Sequence, residues 1–211
     1  VAAVEGGESC RTVAARFAFR HDLYREAVSR HGALFSCPAG RSVGAGRASE
    51  AALQVANNQA FTFAGWFYLD SIGSNRILVG KNNYAANRRE YELNFDGAGQ
   101  ALRTYISSDG SSGTETTLLH SETIDVSTWY FAALKWEPSV VGISVNGAAY
   151  ETTAHNTGSN ANNSQYGLGV RWTSSAESPM DGRMQRWGFW KRALTADELS
   201  WLYNGGRGRD Y

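Results

Sequence analysis

Cysteine is nearly absent from this 211-residue chain: Cys10 and Cys37 are the two, both in the N-terminal fifth. A bond between them would close a loop over the N-terminal arm and stabilise it by roughly 3 kcal/mol. Two free thiols fit as well, and two cysteines are too few to fix the redox compartment. Histidine is also sparse. His21, His31, His120 and His155 are scattered without ligand spacing, which excludes a sequence-visible zinc site. No excess charge of either sign is present, since 20 Lys and Arg balance 20 Asp and Glu and the pI is about 7.1. With no basic block, a nucleic-acid footprint is not expected. No apolar run approaches the roughly 20 residues of a membrane span, so membrane insertion is not expected either. No signal-peptide pattern is visible, and the chain begins at Val1 rather than Met, as expected of a mature form or an excised piece. Phosphate-cradling glycine loops and the G-x-S-x-G elbow are missing as well.

Proline is rare, at Pro38, Pro138 and Pro179, so glycine and Asn/Ser clusters do the punctuating. Between them lie runs rich in aromatic and β-branched residues with period-two alternation, which is strand patterning. The clearest are "FTFAGWFYLD" (61–70), "RILVGK" (76–81), "REYELNF" (89–95), "QALRTYISS" (100–108), "TWYFAALKW" (128–136), "VGISVNGAAY" (141–150), "YGLGVRW" (166–172) and "GRMQRWGFW" (182–190). So many strands predict an all-β fold of two stacked antiparallel sheets. Trp66, Trp129, Trp136, Trp187 and Trp190 are expected in the core. In the first fifty residues, "TVAARFAF" (12–19) reads as a strand and "HDLYREAVSRHG" (21–32) as a short helix. "AALQV" (51–55) reads as another strand.

One helix is well signalled. Thr195 is the N-cap and Glu198 completes a capping box. Leu194 and Leu199 form the staple, and Asn204-Gly205 supplies a left-handed stop. Leu199, Leu202 and Tyr203 make one side apolar, so the helix is expected to dock on the sandwich.

Three blocks carry a family resemblance: "FTFAGWFYLD", "WYFAALKW" followed by "ISVNG", and "DGRMQRWGFWKRALTADELSWLYNGG". In order and spacing they resemble the laminin-G-like, concanavalin A-like jelly-roll family, with the match running from about Leu53 to Tyr203. The resemblance implies a two-sheet antiparallel jelly-roll sandwich with one short C-terminal helix. It implies a single domain over residues 1–211, with residues 1–47 as an N-terminal arm. It also implies a binding module more often than an enzyme, placed outside the cell, on its surface or on a virion. Many members bind calcium. This chain departs from the pattern at Gln185-Arg186, where an acidic pair is usual, and at Glu26-Ala27-Val28-Ser29-Arg30. Asp181 alone remains near by, flanked by Arg183 and Arg186. Calcium wants several oxygen ligands, so no cofactor is expected; calcium is disfavoured, and Asp181 is the ligand only if calcium is bound.

Two site readings follow. In "EYELNFD", Glu90, Glu92 and Asn94 have the i, i+2, i+4 spacing of acids in laminarinase-type hydrolases of this fold. That separation does not exclude glycoside hydrolysis. The polar residues equally fit a solvent-facing sheet surface, and Arg88 and Arg89 beside them are expected to hold the carboxyl pKa values low. The binding reading rests on aromatics near loops: Trp172, and Tyr84 flanked by Asn82, Asn83 and Asn87, where a sugar ring can stack and amides can meet its hydroxyls. The expected function is a non-catalytic module that recognises a glycan or a protein surface. The alternatives are an assembly subunit of a virion or cell surface that docks or oligomerises through residues 1–47, and a hydrolase using Glu90 and Glu92. Asn162-Asn163-Ser164 is a formal glycosylation acceptor.

Overall fold

The computed structural model describes residues 42–43, 45–47, 55 and 58–208. Its strands are β1 (Ser42–Val43), β2 (Ala45–Arg47), β3 (Phe61–Leu69), β4 (Arg76–Asn83), β5 (Arg88–Asp96), β6 (Ala101–Ser107) and β7 (Glu115–Thr123). They continue with β8 (Trp129–Glu137), β9 (Ser139–Val145), β10 (Glu151–His155), β11 (Tyr166–Leu168), β12 (Arg171–Trp172), β13 (Ala176–Glu177) and β14 (Met180–Trp190). One α-helix follows, α1 (Ala196–Tyr203). The first sheet has the order β1-β14-β3-β8-β9-β10 and the second β2-β11-β4-β5-β6-β7, with β12-β13 as a separate hairpin. Every pairing is antiparallel.

The described residues therefore form the expected two-sheet sandwich with one short helix. The predicted helix at 21–32 and the strand at 12–19 lie outside the described residues, as do Cys10 and Cys37. Of "AALQV", Val55 alone is described, and it is not in a strand. Residues 42–43 and 45–47, assigned to the arm by sequence, pair with β14 and β11 as part of the sandwich. The run 166–172 is two strands, split at Gly169-Val170.

Alternation places Phe61, Phe63 and Phe67 of β3 between the sheets, against Tyr91, Leu93 and Phe95 of β5. The Phe61 and Tyr91 rings lie 4.9 Å apart, and those of Phe63 and Phe189 4.4 Å apart. The opposite face of β3 is buried too. Ala64 and Trp66 join Phe131, Ala133, Leu194, Leu199 and Leu202 in a second cluster beneath α1. Thr62 pins the approach to the helix, donating to Arg192 O and accepting from Leu194 N, each at 2.9 Å. The capping box of Thr195 and Glu198 is formed, and Asn204 ends the helix in the left-handed region at φ 51°. Among the five tryptophans expected in the core, Trp66 and Trp136 are buried, while Trp129, Trp187 and Trp190 are partly buried against the two clusters.

A bulge between Gln185 and Gly188 explains the polar "MQR". Without it, Met184, Arg186 and Gly188 would share the inner face. One extra residue, with Arg186 at φ 54°, shifts the parity so that Met184, Trp187 and Phe189 all pack on the core. The Trp187 ring fills the space that a side chain at Gly65 would take, and its Nε1 donates to Trp66 O at 2.9 Å.

The edges β7 and β10 lie side by side. Ser121 N donates to Glu151 Oε2 at 2.9 Å, and His155 Nδ1 bonds Thr116 Oγ1 at 2.8 Å.

A Cβ on Gly65 would stand 2.4 Å from the Trp187 ring. Gly65→Ala should therefore lower stability by about 1–3 kcal/mol, with a shifted tryptophan emission. A denaturation midpoint equal to that of the parent would show that the ring moves freely.

Candidate functional site

Strand β5 carries polar residues whose alternation fits a solvent-facing surface. The structure corrects this: Glu90 and Glu92 are 0% exposed and Asn94 is 1% exposed. Residues far away in sequence cover them. A loop spanning 158–165 lies over one end. It is held by Asn160 N to Ser107 O at 2.8 Å and by Asn162 Nδ2 and Ser164 Oγ to Arg88 O, each at 3.2 Å. The β12–β13 hairpin lies over the neighbouring stretch. It can do so because Gly80 and Gly167 are register partners and present no side chains. A Cβ on Gly167 would meet Val170 O at 1.9 Å and Trp172 Cδ1 at 3.3 Å.

Buried carboxylates need partners. Lys81 Nζ lies 2.7 Å from Glu90 Oε2, with both side chains fully buried. Glu90 also accepts from Val55 N at 3.5 Å and Asn162 N at 3.4 Å, while Lys81 Nζ donates to Asn162 O. Burial pushes the Glu90 carboxyl up to about 7, against the opposing pull of Lys81. The expectation that Arg88 and Arg89 would hold it low is thus overturned. Arg89 instead faces Glu115 at 3.9 Å and donates to Asn87 Oδ1 and Gly110 O, each at 3.0 Å. Glu92 takes a bidentate contact from Arg171, Nε at 2.7 Å and Nη2 at 2.5 Å, and accepts from Asn94 Nδ2 at 2.9 Å. Both acids of the hydrolase reading are therefore shut away from solvent and bound to a cation.

The rim is more open. Tyr84 is 41% exposed on a 3-10 turn between β4 and β5. The Arg171 guanidinium sits 5.4 Å from its ring centroid. Its hydroxyl donates to Glu177 of β13, which raises the Tyr84 pKa. Tyr84 and Trp172 thus meet through Arg171, the residue beside Trp172. Trp172 is half-buried and its Nε1 is buried without a partner. The three asparagines divide. Asn83 Oδ1 accepts from Ala86 N at 3.2 Å and so caps the turn, and Asn87 closes it at φ 51°. Asn82 is buried with Oδ1 unpartnered, as is Oδ1 of Asn94.

Across the sheet, Arg103 reaches Asp96 Oδ2 at 2.8 Å and the Tyr105 hydroxyl at 2.9 Å. Sequence reasoning did not single out Arg171, Glu177, Arg103, Tyr105 or Glu115. Arg103 and Tyr105 alternate in "QALRTYISS" and were legible as one face, whereas nothing local marks Arg171. Asp181 lies elsewhere, accepting from Ser71 Oγ at 2.5 Å with Arg76 Nη2 3.9 Å away. One carboxylate already engaged by an arginine does not fit calcium. Among the described residues, no group of three or more His, Cys, Asp or Glu is placed to hold a metal.

The sequence model described as the concanavalin A-like lectin/glucanases superfamily matches residues 44–200. The chain belongs to that superfamily. Solved structures agree on the fold. The CBM40 of the Ruminococcus gnavus IT-sialidase, bound to α2,3-sialyllactose, superposes with a TM-score of 0.59 at 17% identity, over 70% of this chain and 84% of that one. A putative carbohydrate binding protein from Bacteroides ovatus gives 0.55 at 18% identity, over 75% of this chain and 46% of that one. The heptameric SAP-like pentraxin from Limulus polyphemus gives 0.55 at 15% identity, over 74% and 77%. No curated protein sequence matches the chain.

Two measurements check the buried pair. Lys81→Met leaves Glu90 buried without its cation and should cost about 3–5 kcal/mol at pH 8. The second concerns pH. An unfolded glutamate titrates near 4.3, but Glu90 in the fold titrates at about 7. Between those values the folded state binds more protons, so the Glu90 contribution to stability is full below pH 4.3 and lost as pH rises through 7. The difference in unfolding free energy between the parent and Glu90→Gln should therefore change by up to roughly 3 kcal/mol from pH 4 to pH 8. A flat difference curve would contradict the raised Glu90 pKa.

Proposed function

We propose that this chain is a non-catalytic glycan-binding module whose ligand lies on the outer face of the second sheet, bounded by Tyr84, Arg171 and Trp172. The observation that carries this is the Tyr84 ring, 41% exposed and held between a turn that Asn83 caps and the guanidinium of Arg171. A sugar ring gains from a flat aromatic surface with fixed polar groups beside it, and little ordering entropy is left to lose here. Asn83 and Asn87 act on the ligand indirectly, by shaping the turn. The relatives named as carbohydrate-binding support this reading, and the superfamily spans lectins and glucanases.

The reading extends to place and cofactor: a module working outside the cell or on its surface, without calcium. A hydrolase is disfavoured because neither Glu90 nor Glu92 reaches solvent, so neither can touch a glycosidic oxygen or an attacking water. The assembly reading, docking through residues 1–47, rests on a segment lying mostly outside the described residues.

A glycan array probed with the parent, Tyr84→Ala and Trp172→Ala decides the matter. The parent should bind at least one glycan class, in the presence of EDTA as in its absence. Each variant should lose about tenfold or more in affinity, equivalent to roughly 1.4 kcal/mol. A parent that binds no glycan, or a Tyr84→Ala protein that binds as the parent does, ends this proposal.

A further inference from the structure

Four cations lie on or within the second sheet, and each has a carboxylate of its own. Lys81 faces Glu90 at 2.7 Å, Arg171 grips Glu92 at 2.5 Å, Arg103 meets Asp96 at 2.8 Å and Arg89 faces Glu115 at 3.9 Å. Glu177 is a further acid, bonded to the Tyr84 and Thr173 hydroxyls and within electrostatic reach of Arg171. Glu115 also acts electrostatically on this group, since its own carboxyl feels Arg89, Glu92 and Arg171. Around Arg171, three carboxylates thus face two guanidiniums. Arg88 is exposed at the start of β5.

An arginine that receives an anionic ligand has to offer uncompensated charge and a free pair of parallel donors. Arg171 does not offer the first. Its side-on donors Nε and Nη2 are both on Glu92, which compensates its charge, and an arriving carboxylate would meet the like charges of Glu115 and Glu177. An uncharged hydroxyl brings no charge for these acids to oppose, and it can both donate and accept at the exposed rim.

We infer that the ligand of this face is an uncharged, hydroxyl-rich saccharide, and that saccharides bearing a carboxylate are discriminated against. This rests on the glycan-binding reading above and narrows it. It separates the chain from the CBM40 relative, which was solved with the acidic α2,3-sialyllactose. The selectivity comes from carboxylates placed against the wrong ligand as much as from contacts to the right one.

The test is an array holding neutral glycans beside their sialylated and uronic-acid counterparts, followed by calorimetry on the best pair. The neutral member should bind about tenfold tighter or more at low ionic strength, with the gap shrinking as salt rises. Glu177→Gln should narrow the neutral-over-charged ratio severalfold, because it removes a repelling charge. Binding to charged members alone, or a ratio that ignores both salt and Glu177→Gln, overturns this inference and leaves glycan binding standing. Failure of every glycan, neutral and charged, defeats the glycan-binding reading itself and this inference with it.

Discussion

The Lys81–Glu90 ion pair ties together parts of the chain that are remote in sequence. Lys81 is on β4 and Glu90 on β5, and the same two side chains hold Asn162 through both its N–H and its carbonyl, as well as the N–H of Val55. A charge with no exposure cannot be left alone, because water is not there to stabilise it. The pair and the loop over it therefore form together. Once seated, that loop fixes the carbonyls of Arg88 and Arg89 through Asn160, Asn162 and Ser164. Those residues follow directly on the turn that presents Tyr84, so the exposure of one aromatic ring depends on an ion pair buried behind it.

The two outer faces of the sandwich are closed by opposite means. On the first sheet an apolar helix side covers Ala64, Trp66, Phe131 and Ala133, and the bond is largely area removed from water. On the second sheet the cover is a polar loop and a two-stranded hairpin, and the contacts are ion pairs involving side chains of β4 and β5 and hydrogen bonds to side chains and carbonyls of β5 and β6. The first arrangement tolerates substitutions that keep volume. The second fails when one partner of a pair is lost, yet it is the one that places polar groups in fixed positions at a surface.

Much of this architecture was legible in the chain. The capping box at Thr195 and Glu198, the stop at Asn204 and the alternation of "FTFAGWFYL" are local signals, and the structure shows each in its place. Strands β7 and β10 were not legible. "ETTLLHSET" and "ETTAH" are edge strands, largely polar on both faces, so the hydrophobic period that marks a strand is weak in them. The outer face of β5 was misread for a related reason: alternation tells which residues share a face, not whether something covers it. Here the cover comes from residues 158–177, and no signal within "REYELNF" points there. Tyr84 and Trp172 stood out as aromatics near loops. Arg171, which joins them, and Glu177 had no local mark at all.

The side-by-side edges β7 and β10 carry one more consequence. A flat strand at the rim of a sheet offers its amides to any extended peptide, and repeated strand addition is how sandwiches are drawn into fibrils. Here the Ser121 amide is occupied by the Glu151 carboxylate, and the His155 ring clasps Thr116 from the other sheet. An incoming strand would first have to break bonds that run between the sheets. The flank is thereby guarded against templated aggregation, a protection that a crowded surface of many identical modules would require.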